Sequence, residues 1–111
     1  MYSEKRILSL IPARGGSKGI KNKNIIDLNG YPLISYTIKA AIDSKYVDSV
    51  VVSTDSIEIA DISKECGALV PFMRPDELAS DTSKTVDVVI HAIQALKEMS
   101  YKFDVLVLLQ P

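Results

Sequence analysis

With 111 residues, 47% of them hydrophobic, and a formal net charge of −1, the chain is the size of one ordinary domain and has enough apolar mass for a single core. That balance excludes a nucleic-acid protein of the usual kind, which needs excess Lys and Arg to displace counterions, and no apolar run is long enough to span a bilayer. Charge is unevenly placed: from Met1 to Lys23 six basic residues face the single acid Glu4, while from Asn24 onward seven bases face thirteen acids. A local cationic site inside an otherwise acidic protein points to a small polyanionic ligand. Cys66 is the only cysteine, so no internal disulfide forms, and a reducing, cytoplasmic setting is expected.

In chain order, the apolar run from Arg6 to Pro12 reads as a short strand buried on both faces. A loop from Ala13 to Asn24 follows. Pro32 stands where a first helical residue would be, and Ile34, Ile38, Ala41 and Ile42 recur at helical spacing up to about Ser44. Ser49 to Ser53 is the second strand. Asp55 with Glu58 three residues on has the form of a capping box, opening a helix whose apolar face carries Ile59, Ile62 and Cys66 and which Gly67 closes. Ala68 to Pro71 is a weak third strand. A polar loop from Phe72 to Asp81 leads to the longest helical pattern, Thr82 to Met99, with Val86, Val89, Ile90, Ile93 and Leu96 expected to face inward. Asp104 to Leu109 is the last strand. Continuously apolar strands alternating with helices predict an α/β fold, an open and mostly parallel sheet with helices on both faces, which gathers ligands at the carboxyl ends of its strands. The sequence stops at Gln110-Pro111, directly after a strand that such a sheet would bury near its middle, so the expectation is an α/β domain incomplete at its C-terminus.

The loop Pro12-Ala-Arg-Gly-Gly-Ser-Lys-Gly-Ile-Lys-Asn-Lys-Asn24 combines adjacent glycines with one Arg, three Lys and two Asn. Glycines let backbone N–H groups approach an anion closely, and the cations neutralise it. A Walker A loop is excluded, because after four intervening residues Gly15 or Gly16 is followed by Ile20 or Lys21 instead of a second glycine. The dinucleotide fingerprint fails too, since neither Ser17 nor Lys18 is the glycine that pattern requires. A Gly-Ser-Lys turn alone reads equally well as a solvated surface loop. Its place after the first strand, its share of the positive charge and the Arg at the strand exit favour a phosphate loop.

Four blocks, from Ile11 through Gly19 with Lys23-Asn24, from Val51 to Asp55, from Arg74 to Thr82, and from Leu108 to Pro111, resemble the acylneuraminate cytidylyltransferases in order and spacing. The resemblance covers nearly the whole chain and implies a Rossmann-like nucleotidyltransferase fold, of which residues 1–111 are the N-terminal, nucleotide-binding part of a single domain. It implies transfer of CMP from CTP to the anomeric hydroxyl of a sialic acid (N-acetylneuraminate), with release of pyrophosphate. Legionaminate, pseudaminate and 3-deoxy-octulosonate remain alternative acceptors, and a nucleotide-binding module without turnover is the other class. Enzymes for 3-deoxy-octulosonate carry a different loop after Pro-Ala-Arg and rank second.

The same resemblance implies roles for individual residues. Arg14 and Lys18 hold the β- and γ-phosphates, Lys23 sits by the α-phosphate, and Asn24 bonds the ribose or an adjacent phosphate oxygen. The backbone of Ala13, Gly15 and Gly16 lines the nucleotide. Arg74 reaches the cytosine, the backbone near Ser83 reads the other edge of the base, and Thr85 adds a hydroxyl to the pocket. Gln110 faces the sugar acid. Alone, Arg74 reads equally as a surface arginine and Gln110 as a strand end. Mg²⁺ is implied as cofactor, with ligands outside this chain, as are a homodimer of the full-length protein and a place in lipopolysaccharide or capsule biosynthesis. His91, mid-helix and four residues after Asp87, is assigned a structural role, and Asp55 that of a helix cap.

Overall fold

The computed structural model describes residues 4–15, 27–80 and 83–111. Strand β1 (Ile7–Pro12) lies between β4 (Ser49–Ser53) and β5 (Val105–Leu108), parallel to both. Register runs Leu8 opposite Ser49 and Leu106, and Leu10 opposite Val51 and Leu108. Two aspartates set that register at the amino ends. Ile7 N–H donates to Asp48 Oδ2 (2.7 Å) while Asp48 N–H donates to the Ile7 carbonyl (2.8 Å), and Arg6 and Asp104 exchange a similar pair on the other side.

Helices cover both faces, as an open parallel sheet requires. On one face α1 (Leu33–Asp43) and α2 (Ile57–Glu65) bring Ile34, Ile38, Ala41 and Ile59 against Ile11, Val50 and Val52. On the other α3 (Thr85–Glu98) brings Ala92 and Leu96 against Leu8, Leu10 and Val51. Because β1 is buried from both sides, its sequence carries no polar alternation except Ser9, whose hydroxyl donates to the Ser49 carbonyl.

Several expectations are corrected. Pro32 is not the first helical residue: it ends β3 (Tyr31–Pro32), which pairs with β2 (Asp27–Leu28) across Asn29 and Gly30, both at positive φ as a tight hairpin turn demands. Ile42 is exposed, since α1 meets the sheet through the stripe Ile34, Ile38 and Ala41. The α2 cap is Ser56, whose hydroxyl accepts from Ile59 N–H (3.2 Å); Asp55 makes a bond outside the helix, and the Asp55–Glu58 capping box does not form. Gly67 does close α2, with φ +101°. Its N–H reaches the Lys64 carbonyl and Ala68 N–H the Ser63 carbonyl, the paired bonds of a Schellman motif.

The weak third strand reduces to one parallel bridge between Leu69 and Val51. Helix α3 begins at Thr85, not Thr82, after an uncapped Lys84, and residues 81 and 82 lie outside the described set. Its buried stripe is Val88, Ala92 and Leu96, whereas Val86 and Ile90, expected inside, are exposed.

Candidate nucleotide site

Strand order puts the change of winding direction at β1: the chain goes from β1 to β4 on one side and later returns to β5 on the other. A crevice opens outside the carboxyl ends of strands at such a point. The residues that reach it follow directly from where each strand stops.

Past Pro12, Ala13 N–H still donates to the Ser53 carbonyl (2.9 Å), so β1 and β4 remain linked one residue beyond the strand. Arg14 is then half-buried and Gly15 buried. Gly15 N–H donates to Asp55 Oδ1 at 2.8 Å, which ties the start of the glycine loop to the segment leaving β4. That segment is itself tightly held: Thr54 is fully buried, its hydroxyl accepts from Ser56 N–H (3.1 Å), and its carbonyl accepts from Arg74 N–H (2.8 Å).

Beneath it lies Arg74, only 6% exposed. Its Nε donates to Ser53 Oγ (3.2 Å), Nη2 to the Ser53 carbonyl (2.7 Å) and Nη1 to the Leu78 carbonyl (3.1 Å). A guanidinium offers five N–H groups, of which these bonds engage three. Burial pushes its pKa below the ordinary arginine value and the Arg14 charge adds to this, while the Asp55 carboxylate opposes both. Two cations and one carboxylate therefore share the crevice, which gives it a positive balance suited to phosphate.

Of the residues singled out from sequence, Ala13, Arg14, Gly15 and Arg74 meet here through Ser53 and Asp55. Arg74 is buried and is not a surface arginine. Gly16, Lys18, Lys23 and Asn24 lie outside the described residues. Ser83 is half-buried and organises the loop before α3: its N–H donates to the Ser80 carbonyl (3.1 Å), and its hydroxyl accepts from Ser80 N–H (3.1 Å) and reaches the Glu77 carbonyl (3.2 Å). Thr85 is exposed at the first turn of α3. Gln110 is exposed just past β5, where Leu109 N–H donates to the Leu10 carbonyl, so Gln110 leaves the sheet beside the end of β1. His91 packs edge-on against Phe72, ring centres 5.4 Å apart, which is a packing contact of α3.

Sequence reasoning missed Ser53, Thr54 and the tertiary role of Asp55. The usable signal was the run Ser-Thr-Asp directly after three valines, polar groups held at a strand's carboxyl end. Among the described residues no three His, Cys, Asp or Glu side chains converge into a cation site. No helix among them is long and apolar enough to cross a membrane.

A parallel sheet whose winding reverses at β1, with helices on both faces, defines an open, doubly wound α/β protein, which gathers ligands at the carboxyl ends of its strands. The cytidylyltransferase family model matches residues 8–101, and the chain belongs to that family. It is 47% identical over 106 residues to the CMP-N,N'-diacetyllegionaminic acid synthase of Legionella pneumophila, covering 96% of this chain and 46% of that protein. To the N-acylneuraminate cytidylyltransferase of Escherichia coli O18:K1:H7 it is 39% identical over 106 residues, covering 96% of this chain and 24% of the other. Among solved structures, a CMP:2-keto-3-deoxy-manno-octonic acid synthetase complexed with CTP superposes with a TM-score of 0.78 over 96% of this chain and 40% of that one; at 23% identity the likeness shows the fold. The chain thus spans less than half the length of these relatives.

Proposed function

We propose that this chain supplies the CTP site of an enzyme that transfers CMP to the anomeric hydroxyl of a sialic acid, releasing pyrophosphate. The observation that carries this reading is the crevice in which Arg14, the pinned Gly15 turn and buried Arg74 converge at the carboxyl end of β1. The acceptor oxygen attacks the α-phosphorus, the bond to the pyrophosphate oxygen breaks, and the hydroxyl proton is lost to solvent. Fixed cations that hold the leaving phosphates favour this step more than the ground state, because charge moves toward them as the bond breaks.

Arg14 and Lys18 hold the β- and γ-phosphates, and Lys23 the α-phosphate. Asn24 bonds the ribose or an adjacent phosphate oxygen, and the backbone of Ala13, Gly15 and Gly16 lines the nucleotide. The two remaining N–H groups of Arg74 meet the cytosine from below, with the backbone at Ser83 on the other edge and the Thr85 hydroxyl nearby. Gln110 leaves β5 toward the sugar acid. A Mg²⁺ ion, when bound, would neutralise the phosphates. Its ligands are proposed to lie outside this chain, in keeping with the absence of three converging His, Cys, Asp or Glu side chains among the described residues, and no step is assigned to it. A cytoplasmic location and a homodimer belong to the same proposal, as does supply of an activated sugar to lipopolysaccharide or capsule.

The relatives named for legionaminic acid and for N-acylneuraminate both support a sugar-acid acceptor. The test is pyrophosphate release by the protein that carries this chain, with CTP and each of N-acetylneuraminate, N,N'-diacetyllegionaminate and 3-deoxy-octulosonate. The highest kcat/KM with N-acetylneuraminate supports the proposal. A preference for another acid replaces the acceptor, and release with none of them overturns the reading.

A further inference from the structure

We infer that Asp55 is a positioning residue for the nucleotide, acting through Gly15; the inference rests on the nucleotide reading of the crevice. Asp55 and Gly15 are 40 residues apart in sequence, yet Asp55 Oδ1 accepts from Gly15 N–H at 2.8 Å. Two residues earlier on each side, Ala13 N–H donates to the Ser53 carbonyl. The β1–β4 ladder is therefore extended by one backbone bond and then by one side-chain bond, and the glycine loop starts from a fixed peptide plane. Gly15 is buried, so its N–H has no solvent partner to replace the carboxylate.

A carboxylate in a site that receives phosphate works against binding by repulsion, and the adjacent residue already caps α2: Ser56 accepts from Ile59 N–H. Helix capping therefore does not account for Asp55. What its carboxylate does is orient Gly15 and set a negative charge against the two guanidiniums, Arg14 and Arg74, that crowd the same crevice. Because the effect acts on the loop and not on the base, it applies to any nucleoside triphosphate that binds, whereas loss of Arg74 changes base preference.

The experiment compares wild type with Asp55→Ala, Asp55→Asn and Ser56→Ala by calorimetric titration of CTP, each alongside a thermal midpoint and the ¹H–¹⁵N resonance of Gly15. Asp55→Ala weakens CTP roughly tenfold or more, the scale of one lost charge-assisted hydrogen bond, and moves the Gly15 amide proton upfield. Asp55→Asn keeps an oxygen acceptor and binds within about threefold of wild type. Ser56→Ala lowers the midpoint and leaves CTP affinity unchanged, which separates a capping role from a positioning one. If Asp55→Ala does not fold, Asp55→Ser, too short to reach Gly15, is read in its place. CTP affinity within twofold of wild type in Asp55→Ala, or equal losses in Asp55→Asn and Asp55→Ala, overturns the inference while the nucleotide reading stands. Wild type that binds no CTP overturns both.

Discussion

Replacing Arg74 by methionine, which is similar in length and apolar, should destabilise the fold by about 2–4 kcal/mol. Three bonds are lost, to Ser53 Oγ, the Ser53 carbonyl and the Leu78 carbonyl. Bonds from a charged donor are each worth roughly 1.5–3 kcal/mol. Against this, removing a guanidinium that is only 6% exposed recovers several kcal/mol of desolvation. The acceptors left behind also differ. The Ser53 carbonyl keeps the Ala13 N–H, and Leu78 is only half-buried, so water can reach its carbonyl. Arg74→Lys should cost nearly as much, because a single ammonium cannot span the Ser53 and Leu78 carbonyls as the planar fork does. Urea denaturation followed by circular dichroism measures both. A change below about 0.5 kcal/mol, the range of surface substitutions, would refute the buried anchoring of Arg74 and restore the surface-arginine reading.

Gly67→Ala should cost about 1–2 kcal/mol by the same assay, because φ is +101° and the new Cβ would lie 3.0 Å from Ile42 Cδ1; an unchanged midpoint would contradict the Schellman closure of α2. Ile38→Ala, at a fully buried site, should cost about 2–5 kcal/mol and Ile42→Ala, 46% exposed, about 0.5 kcal/mol, and a reversed order would place the other stripe of α1 against the sheet. Asp48 is held below its ordinary carboxyl value of 3.8, chiefly by the Ile7 N–H and with help from Arg6. A depressed folded-state pKa makes this contribution complete above pH 3.8 and lost as pH falls through the lower folded value. Asp48→Asn should therefore lower stability at neutral pH and flatten its decline below about pH 4, and an acid limb equal to wild type would contradict the assignment.

The parallel sheet was legible because strands buried on both faces cannot alternate: Leu8, Leu10 and Ile11 serve opposite helical layers, so the whole run must be apolar. The limits of β4 at Ser49 and Ser53 follow from the same pattern. The inner face of α3 was legible in part: Leu96 is buried and Val89 packs against the core as expected, whereas Val86 and Ile90 are exposed. Its apolar residues form two stripes: Val86 and Ile90 mark the exposed one, while the buried one runs Val88, Ala92 and Leu96, with Ala92 at its centre. Small residues carry little weight in a periodicity argument yet allow the closest approach to a sheet. Asp55 failed for another reason. Asp55 and Ser56 are both competent caps, and the choice between them is made by Gly15, 40 residues upstream, which no local pattern contains. Asn29-Gly30 does carry a hairpin signal, but strands of two residues offer no alternation to accompany it.

For the site, the residue types of the glycine loop point to phosphate chemistry from sequence alone, and of that loop Arg14 and Gly15 are among the described residues. The carbonyls that hold Arg74 could not be read, since backbone acceptors at Ser53 and Leu78 leave no trace in residue identity.

The most direct test of the account is a calorimetric titration of CTP, ATP and NAD into the folded protein in the presence of Mg²⁺. Saturable binding of CTP in clear preference to ATP, and none of NAD, is the expected result. Equal affinity for CTP and ATP, or saturable binding of NAD, would contradict a cytidine site at the carboxyl end of β1.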